Sequence, residues 1–228
     1  MKNLPKDWQL KESAQEVAKT ACQIIVSTAK KAIEKQGEFK IVLAGGTTPK
    51  QVYSLLSKEN CDWQKWQLYL GDERCYPADH PDRNSQMIEQ TFLSKVSIPK
   101  ENIHFISAEK GAKEAANIYN KLIKNSVPFD LVLLGMGEDG HTASLFPKNS
   151  KQDLNDEYVS AVLNAPKAPP ERVTLTSKAL SSTACLLIMV TGTSKHQAVR
   201  KWQDGEHLPV SKISAQTKII LLDKDALS

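Results

Sequence analysis

Short apolar segments alternate with longer amphipathic ones along the chain, and this alternation restricts the fold more than any other feature. Apolar runs with strand character predict β-strands at 39–44, 103–106, 172–176, 184–192 and 217–222. They also predict a strand and loop at 66–73 and a strand with a Gly-rich exit at 130–137. Apolar residues at helical spacing predict helices at 12–36, 48–58, 83–95, 110–125 and 193–203. Strands that alternate with helices indicate an α/β fold with a doubly wound, mainly parallel sheet flanked by helices.

The chain of 228 residues is predicted to form a single domain over 1–228. Its Pro-rich segment at 164–171 is eight residues long, which is typical of a loop rather than a domain linker. The net charge is only +4 and the lysines are scattered, so we expect no nucleic-acid partner.

Membrane insertion and secretion are not indicated either. The longest apolar stretch, near 184–190, is far shorter than the roughly 20 residues of a membrane helix. The first 19 residues carry charges throughout and lack an apolar leader region, which predicts a cytoplasmic location. Four cysteines show neither C-x-x-C pairing nor zinc-site spacing, so reduced thiols and no metal are expected; they are Cys22, Cys61, Cys75 and Cys185.

Four segments follow predicted strands with Gly-rich or polar residues. Ligands of open α/β sheets bind beyond the carboxyl ends of the strands, so we expect these segments to meet there. The first, at 44–50, reads AGGTTPK. Its glycines and the next helix N-terminus favour an anion, although a tight turn with Thr48 as N-cap is the alternative.

The second segment, Gly71 to Arg74, offers a carboxylate at Asp72 and a guanidinium at Arg74. Arg binds phosphate or carboxylate in a bidentate fork. The alternative is a surface cluster of ion pairs. The polar residues after Arg74 are predicted to form a loop that folds over the site.

The third segment, 135–147, contains G-x-G-x-x-G, and Glu157 lies about 20 residues further on, as in a dinucleotide site. Pro147 follows Gly140 too soon for the helix that this motif requires. His141 is instead a candidate acid–base group that Asp139 could orient, the alternative being a structural histidine.

The fourth segment, Thr191 to His196, holds two candidate helix caps, Thr193 and Ser194, and then Lys195. A cation in the first turn of a helix opposes the helix dipole. An anionic ligand would explain Lys195 there, and a solvated lysine is the alternative.

Several of these segments together resemble the motif series of the 6-phosphogluconolactonase family over about residues 12–225. They are LAGGTTPKQVY, GDERCYPADHPDRNSQM, LLGMGEDGHTASLFP, APKAPPERVTLT and VTGTSK. The glycine and G-x-DGH motifs are shared with glucosamine-6-phosphate deaminases. Those enzymes have a motif similar to GHIAFNEP where this chain reads GHTASLFP, which favours the lactonase.

The resemblance implies hydrolysis of 6-phospho-D-glucono-1,5-lactone, a sugar-phosphate partner, and neither metal nor organic cofactor. It implies that His141 is the base that activates water and that Asp72 and Asp139 lie beside it. The remaining implied site residues bind the phosphate and hydroxyls or line the sugar-phosphate site: Gly45, Gly46, Thr47, Arg74 and Lys195. We expect a monomer or a small homo-oligomer.

Three positions depart from the family pattern. Arg83 stands where Ser is common, and it could contact the phosphate or face water. Thr47 replaces the commoner Ser and keeps the hydroxyl, and the last strand lacks an expected Trp.

Two other functions fit the same scaffold. In an aldose–ketose isomerase or deaminase, Asp72 would move the C2 proton and His141 would open the ring. A non-catalytic sugar-phosphate sensor would need an additional DNA-binding or partner module.

Overall fold

A sheet of seven parallel strands forms the centre of the computed structural model, which describes residues 4–147 and 156–228. Its strands, in spatial order, are β1 (Trp8–Lys11), β10 (Thr217–Asp223), β9 (Thr183–Val190), β6 (Phe129–Gly135), β2 (Phe39–Leu43), β3 (Trp66–Leu70) and β5 (Ile103–His104). Every neighbouring pair is parallel. From β2 the chain builds outward to β3 and β5 on one side, then to β6, β9 and β10 on the other. The predicted doubly wound fold is confirmed.

A second, antiparallel sheet contains β4 (Asp72–Arg74), β8 (Arg172–Leu175) and β7 (Val159–Val162) in that order. Of the strand and loop predicted over 66–73, the parallel strand ends at Leu70, and the part predicted as a loop contains the start of β4. Gly71 links the two sheets: its N–H donates to the Leu43 carbonyl at 2.9 Å, and its carbonyl accepts from the Leu175 N–H at 2.8 Å. The segment RVTLT is a strand as predicted, but it pairs in this small sheet.

The helices are α1 (Ala14–Gln36), α2 (Thr47–Leu56), α3 (Asn84–Thr91), α4 (Ala112–Ser126), α5 (Ser177–Ser181), α6 (His196–Gln203) and α7 (Lys224–Leu227). The longest, α1, begins where the Ser13 side chain accepts a hydrogen bond from the Glu16 N–H. It ends at Gly37, whose φ of 86° suits glycine. The prediction of 12–36 was therefore wrong by only two residues, at its start. Within the described residues no helix is long and apolar enough to cross a membrane.

Two predicted helices are shorter than expected. The helix predicted at 83–95 stops at Thr91, and a 3-10 turn covers Leu93–Lys95. The helix predicted at 193–203 begins as a 3-10 turn over Thr193–Lys195 before α6. Helix ends commonly tighten into 3-10 turns, which the apolar spacing does not reveal.

The central strands are buried on both faces, as expected for a parallel sheet covered by helices. Ile41, Val42, Leu131, Leu133 and Leu134 are at most 1% exposed. Because β2 and β6 are neighbours from which the chain departs in opposite directions, a crevice opens at their carboxyl ends. This switch point is where the fold favours a ligand site.

Candidate active site

A cavity of about 330 Å³ lies at this switch point. All four segments singled out in the sequence contribute to its wall. Seven of the eight predicted site residues line it: Gly45, Gly46, Thr47, Asp72, Arg74, His141 and Lys195. The eighth, Asp139, reaches the cavity through its contact with His141.

The loop after β2 requires glycine at two positions for different reasons, space at Gly45 and backbone conformation at Gly46. A Cβ on Gly45 would lie 1.9 Å from Asn84 Oδ1, and Gly46 has a φ of 106°. Gly46 is the N-cap of α2 without a side-chain cap, so Thr48 as N-cap is wrong. The Thr48 hydroxyl instead lies 2.6 Å from that of Thr191, which joins the first loop to the fourth.

Asp72 is a buried carboxylate in the cavity wall, only 7% exposed. Ser144 Oγ donates to its Oδ2 at 2.6 Å, and Asn84 Nδ2 donates to its Oδ1 at 3.1 Å. Asp72 is thereby held in one orientation by groups from two other loops.

Arg74 also lines the cavity, and its Nη1 donates to the Asp82 carbonyl at 2.6 Å. The residues between Arg74 and Asn84 do not line the cavity, whereas Asn84, the last residue of the predicted loop, does. Both expectations for Arg83 are wrong. Arg83 is 3% exposed and lies against Glu73 and Glu109, because these carboxylates satisfy its charge inside the protein.

His141 forms the shortest polar contact of the site. Its Nδ1 lies 2.5 Å from Asp139 Oδ1, and its backbone N–H donates to the same oxygen at 3.2 Å. A Cβ on Gly137 would lie 2.0 Å from His141 Cε1, so the imidazole rests on glycine backbone. The Phe146 ring packs on its other side, with centroids 4.8 Å apart.

Burial and Asp139 act in opposite directions on the imidazole. Burial lowers the pKa of His141 below its ordinary value, although hydrogen bonding and charge from Asp139 partly raise it. Burial would raise the pKa of Asp139, but its hydrogen bonds with His141 hold it below its ordinary value. The pair therefore favours a neutral imidazole beside an ionised carboxylate.

Two cations of the cavity wall were not predicted as site residues. Lys167 and Arg172 line the cavity together with Arg74 and Lys195. Burial lowers the pKa of Lys195 and the nearby Glu138 carboxylate opposes this shift. The sequence signal for the two missed cations was the motif APKAPPERVTLT, which contains both.

Arg172 also fixes the Pro-rich loop at the cavity rim. Its Nε donates to the Pro169 carbonyl at 3.2 Å and its Nη2 to the Ala168 carbonyl at 2.9 Å. Its guanidinium lies 5.8 Å from the centre of the Phe146 ring, the same ring that packs against His141.

The turn after His141 orients Ser144. The Leu145 N–H donates to the Thr142 carbonyl at 2.9 Å, and between them Ala143 has a φ of 47°. This left-handed conformation is uncommon for a residue with a Cβ. It allows the Ser144 hydroxyl to reach Asp72.

The arrangement suits an anionic ligand with an electrophilic centre. Because Nδ1 of His141 contacts Asp139, Nε2 is the nitrogen left to exchange a proton. Four cations and the N-terminus of α2 can hold an anion. Among the described residues no group of three or more His, Cys, Asp or Glu side chains could hold a metal ion.

The dinucleotide alternative does not fit this geometry. Glu157 pairs with Lys124 at 2.8 Å and with Asn120, and it does not line the cavity. Gly137 supports an imidazole rather than leaving backbone open to a pyrophosphate.

Fold and site together define a doubly wound α/β protein with a cationic pocket and, at the switch point, a half-buried histidine paired with a more exposed aspartate. Residues 12–221 match the model of the family described as glucosamine-6-phosphate isomerases/6-phosphogluconolactonase. The chain belongs to this family, as its motifs predict.

One curated relative is named probable 6-phosphogluconolactonase 4, chloroplastic, from Oryza sativa subsp. indica. It is 35% identical over 207 residues, which cover 83% of this chain and 64% of the relative. The chain thus spans slightly less than two thirds of that relative's length.

Two solved structures share the fold. The 6-phosphogluconolactonase of Thermotoga maritima superposes with a TM-score of 0.88 at 27% identity, covering 95% of this chain and 99% of that one. A monomeric glucosamine-6-phosphate deaminase gives a TM-score of 0.85 at 21% identity, covering 97% and 100%. At that identity the second likeness concerns the fold alone.

Proposed function

We propose that this chain hydrolyses 6-phospho-D-glucono-1,5-lactone to 6-phospho-D-gluconate, a step of the oxidative pentose phosphate pathway. The observation that carries the proposal is the His141–Asp139 pair at 2.5 Å in a pocket lined by four cations. The relatives named 6-phosphogluconolactonase in rice and Thermotoga maritima support it. We propose further that residues 1–228 act as one catalytic domain.

In this mechanism neutral His141 is the general base. Its Nε2 takes a proton from water as the water attacks the lactone carbonyl. Asp139 holds the imidazole and stabilises the imidazolium that forms. His141 then gives the proton to the ring oxygen as the C1–O bond breaks. Backbone N–H groups and nearby cations stabilise the oxyanion between these steps.

The other site residues bind the substrate. Arg74 and Lys195 hold the phosphate and hydroxyls, and the Gly45–Thr47 loop lines the sugar-phosphate site. Both carboxyl oxygens of Asp72 already accept hydrogen bonds from Ser144 and Asn84, and their remaining acceptor capacity suits a sugar hydroxyl beside the reacting carbon. Binding the remote phosphate orients the carbonyl toward His141, so much of the specificity arises there.

The experiment uses lactone made by oxidising glucose 6-phosphate immediately before use. Its decay with the protein is compared with the spontaneous decay, and glucosamine 6-phosphate is supplied in parallel. We expect rapid decay of the lactone and no release of ammonia. Ammonia release would instead favour a deaminase, and ligand binding without turnover would favour a sensor.

The rice relative is named as chloroplastic, so the cytoplasmic location stays a prediction, as does a monomeric or small homo-oligomeric state.

A further inference from the structure

Arg83 lies in the interior, where it joins three segments of the chain. Its side chain is 4% exposed and its Nε lies 3.4 Å from Glu73 Oε2, an ion-pair distance without hydrogen-bond geometry. Its Nη1 lies 2.9 Å from Glu109 Oε2 and its Nη2 donates to the Ile106 carbonyl at 2.8 Å. The guanidinium therefore connects β4 and the start of α3 with the 106–109 segment.

Glu73 is the buried partner that links Arg83 to the cavity wall. Its side chain is fully buried, and it accepts hydrogen bonds from the backbone N–H groups of Arg74, Asn84 and Ser85 at 2.8, 2.8 and 2.9 Å. The carboxylate thus closes the loop between Arg74 and Asn84 at both ends. Burying one charged group without a partner is costly, and the Arg83 guanidinium lies at ion-pair distance from this carboxylate.

We propose that Arg83 is a positioning residue that sets the affinity for the anionic substrate by acting through Arg74. The inference rests on the proposed function. It assigns a part in substrate binding to a residue that does not itself line the cavity. Arg74 donates to the carbonyl of Asp82, the residue just before Arg83. Displacement of Arg83 therefore shifts the carbonyl group that holds the Arg74 guanidinium in place. His141 and Asp139 belong to a different loop, and the chemical step is unaffected.

Arginine is required because one planar group serves three acceptors. A lysine at this position retains the positive charge beside Glu73, but its compact ammonium cannot also reach the Ile106 carbonyl and Glu109. Arg83→Lys therefore separates the geometric contribution from neutralisation of the buried charge. Glu109→Gln is the matched control, because the Glu109 side chain is 37% exposed and the Glu73 contact remains.

The test measures KM and kcat for the phosphorylated lactone. Arg83→Lys is expected to raise KM about tenfold, within the range that a misplaced binding group produces, with kcat within about twofold of the wild type. Glu109→Gln is expected to change KM by less than about twofold, since the glutamine side-chain oxygen can still accept from Arg83 Nη1 and the Glu73 contact is kept. A fall in kcat with unchanged KM would overturn the proposal.

A double-mutant cycle distinguishes positioning from general destabilisation. If Arg83 acts through Arg74, Arg83→Lys has no further effect on KM in the Arg74→Ala background. Additive effects would overturn the proposal. Arg83→Gln provides a second variant if the lysine variant does not fold, and calorimetric binding of 6-phosphogluconate measures affinity without turnover. If the wild-type protein did not hydrolyse the lactone, only the proposed function would be contradicted. The double-mutant cycle, measured by binding of 6-phosphogluconate, would still test the role of Arg83.

Discussion

The protonation state of His141 is set by two opposing effects on one imidazole. Burial between the Gly137 backbone and Phe146 lowers its pKa, and Asp139 opposes part of that shift. The sequence placed Asp139 two residues before His141 and so predicted the partnership. It could not predict the direction of the shift, because the burial depends on Phe146 and on a backbone that only the fold brings together.

These shifts predict the acid limb of the pH–rate profile. Because neutral His141 is the active form and its pKa is lowered, kcat/KM is expected to fall only below the ordinary histidine value of about 6.5. Asp139→Asn removes an effect that raises this pKa, so the limb moves to lower pH and the plateau rate falls. The measurement is kcat/KM for the lactone between about pH 5 and 8, corrected for spontaneous hydrolysis.

Glu138→Gln is the control, since it removes the adjacent carboxylate without touching the imidazole. We expect its acid limb to coincide with that of the wild type. An acid limb that moves upward in Asp139→Asn would contradict the assigned role of Asp139.

Arg83 shows why a departure from a motif is difficult to interpret without coordinates. From the sequence, Arg83 was expected either to contact the substrate phosphate or to face water, because it lies in a loop near a predicted phosphate site. Its two carboxylate partners lie 10 and 26 positions away in the chain, and nothing in the spacing marks them as partners.

At the scale of elements, long periodic segments were predictable and short ones were not. Helix α1 has a wide apolar stripe and defined caps, so its bounds followed from its residues. Strand β1 is four residues long and ends in a lysine, and β7 carries a serine within it, so neither has a clear pattern. Strand β8 was recognised as a strand, but its period does not specify which sheet it joins.

The turn at 142–145 stores strain that can be measured. Ala143 has a φ of 47°, where glycine is favoured, so Ala143→Gly is expected to raise the free energy of unfolding by about 0.5–1 kcal/mol. The measurement is urea denaturation followed by fluorescence.

The same substitution in the middle of α1, Ala29→Gly, is expected to lower the free energy of unfolding by about 1 kcal/mol, because glycine disfavours helix. Equal destabilisation by both changes would show that the turn at Ala143 is unstrained.

At the scale of the whole molecule, the topology brings separate chemistry to one place. Loops after β2, β3, β6 and β9 reach a single cavity although they are far apart in sequence. That convergence was predicted from the alternation of strands and helices alone. The contribution of Lys167 and Arg172 was not, because Lys167 lies in the loop before β8 and Arg172 begins β8, and the alternation did not indicate the small sheet to which β8 belongs.

The cations of the cavity predict a dependence on ionic strength. Raising the salt from about 0.01 to 0.1 M shortens the Debye length from roughly 30 to 10 Å, so kcat/KM for the phosphorylated lactone should fall several-fold. The control is glucono-1,5-lactone without phosphate, whose hydrolysis should not respond. An equal response of both lactones would contradict a role of these cations in attracting the phosphate.

The proposed mechanism depends most directly on His141 as the base. The measurement is kcat for hydrolysis of fresh 6-phosphogluconolactone by the wild type and by His141→Asn, with 6-phosphogluconate binding measured on both. We expect the variant to fold, to bind the product and to lose about 10²–10⁴-fold in kcat. A folded variant that binds the product and turns over at the wild-type rate would contradict the mechanism.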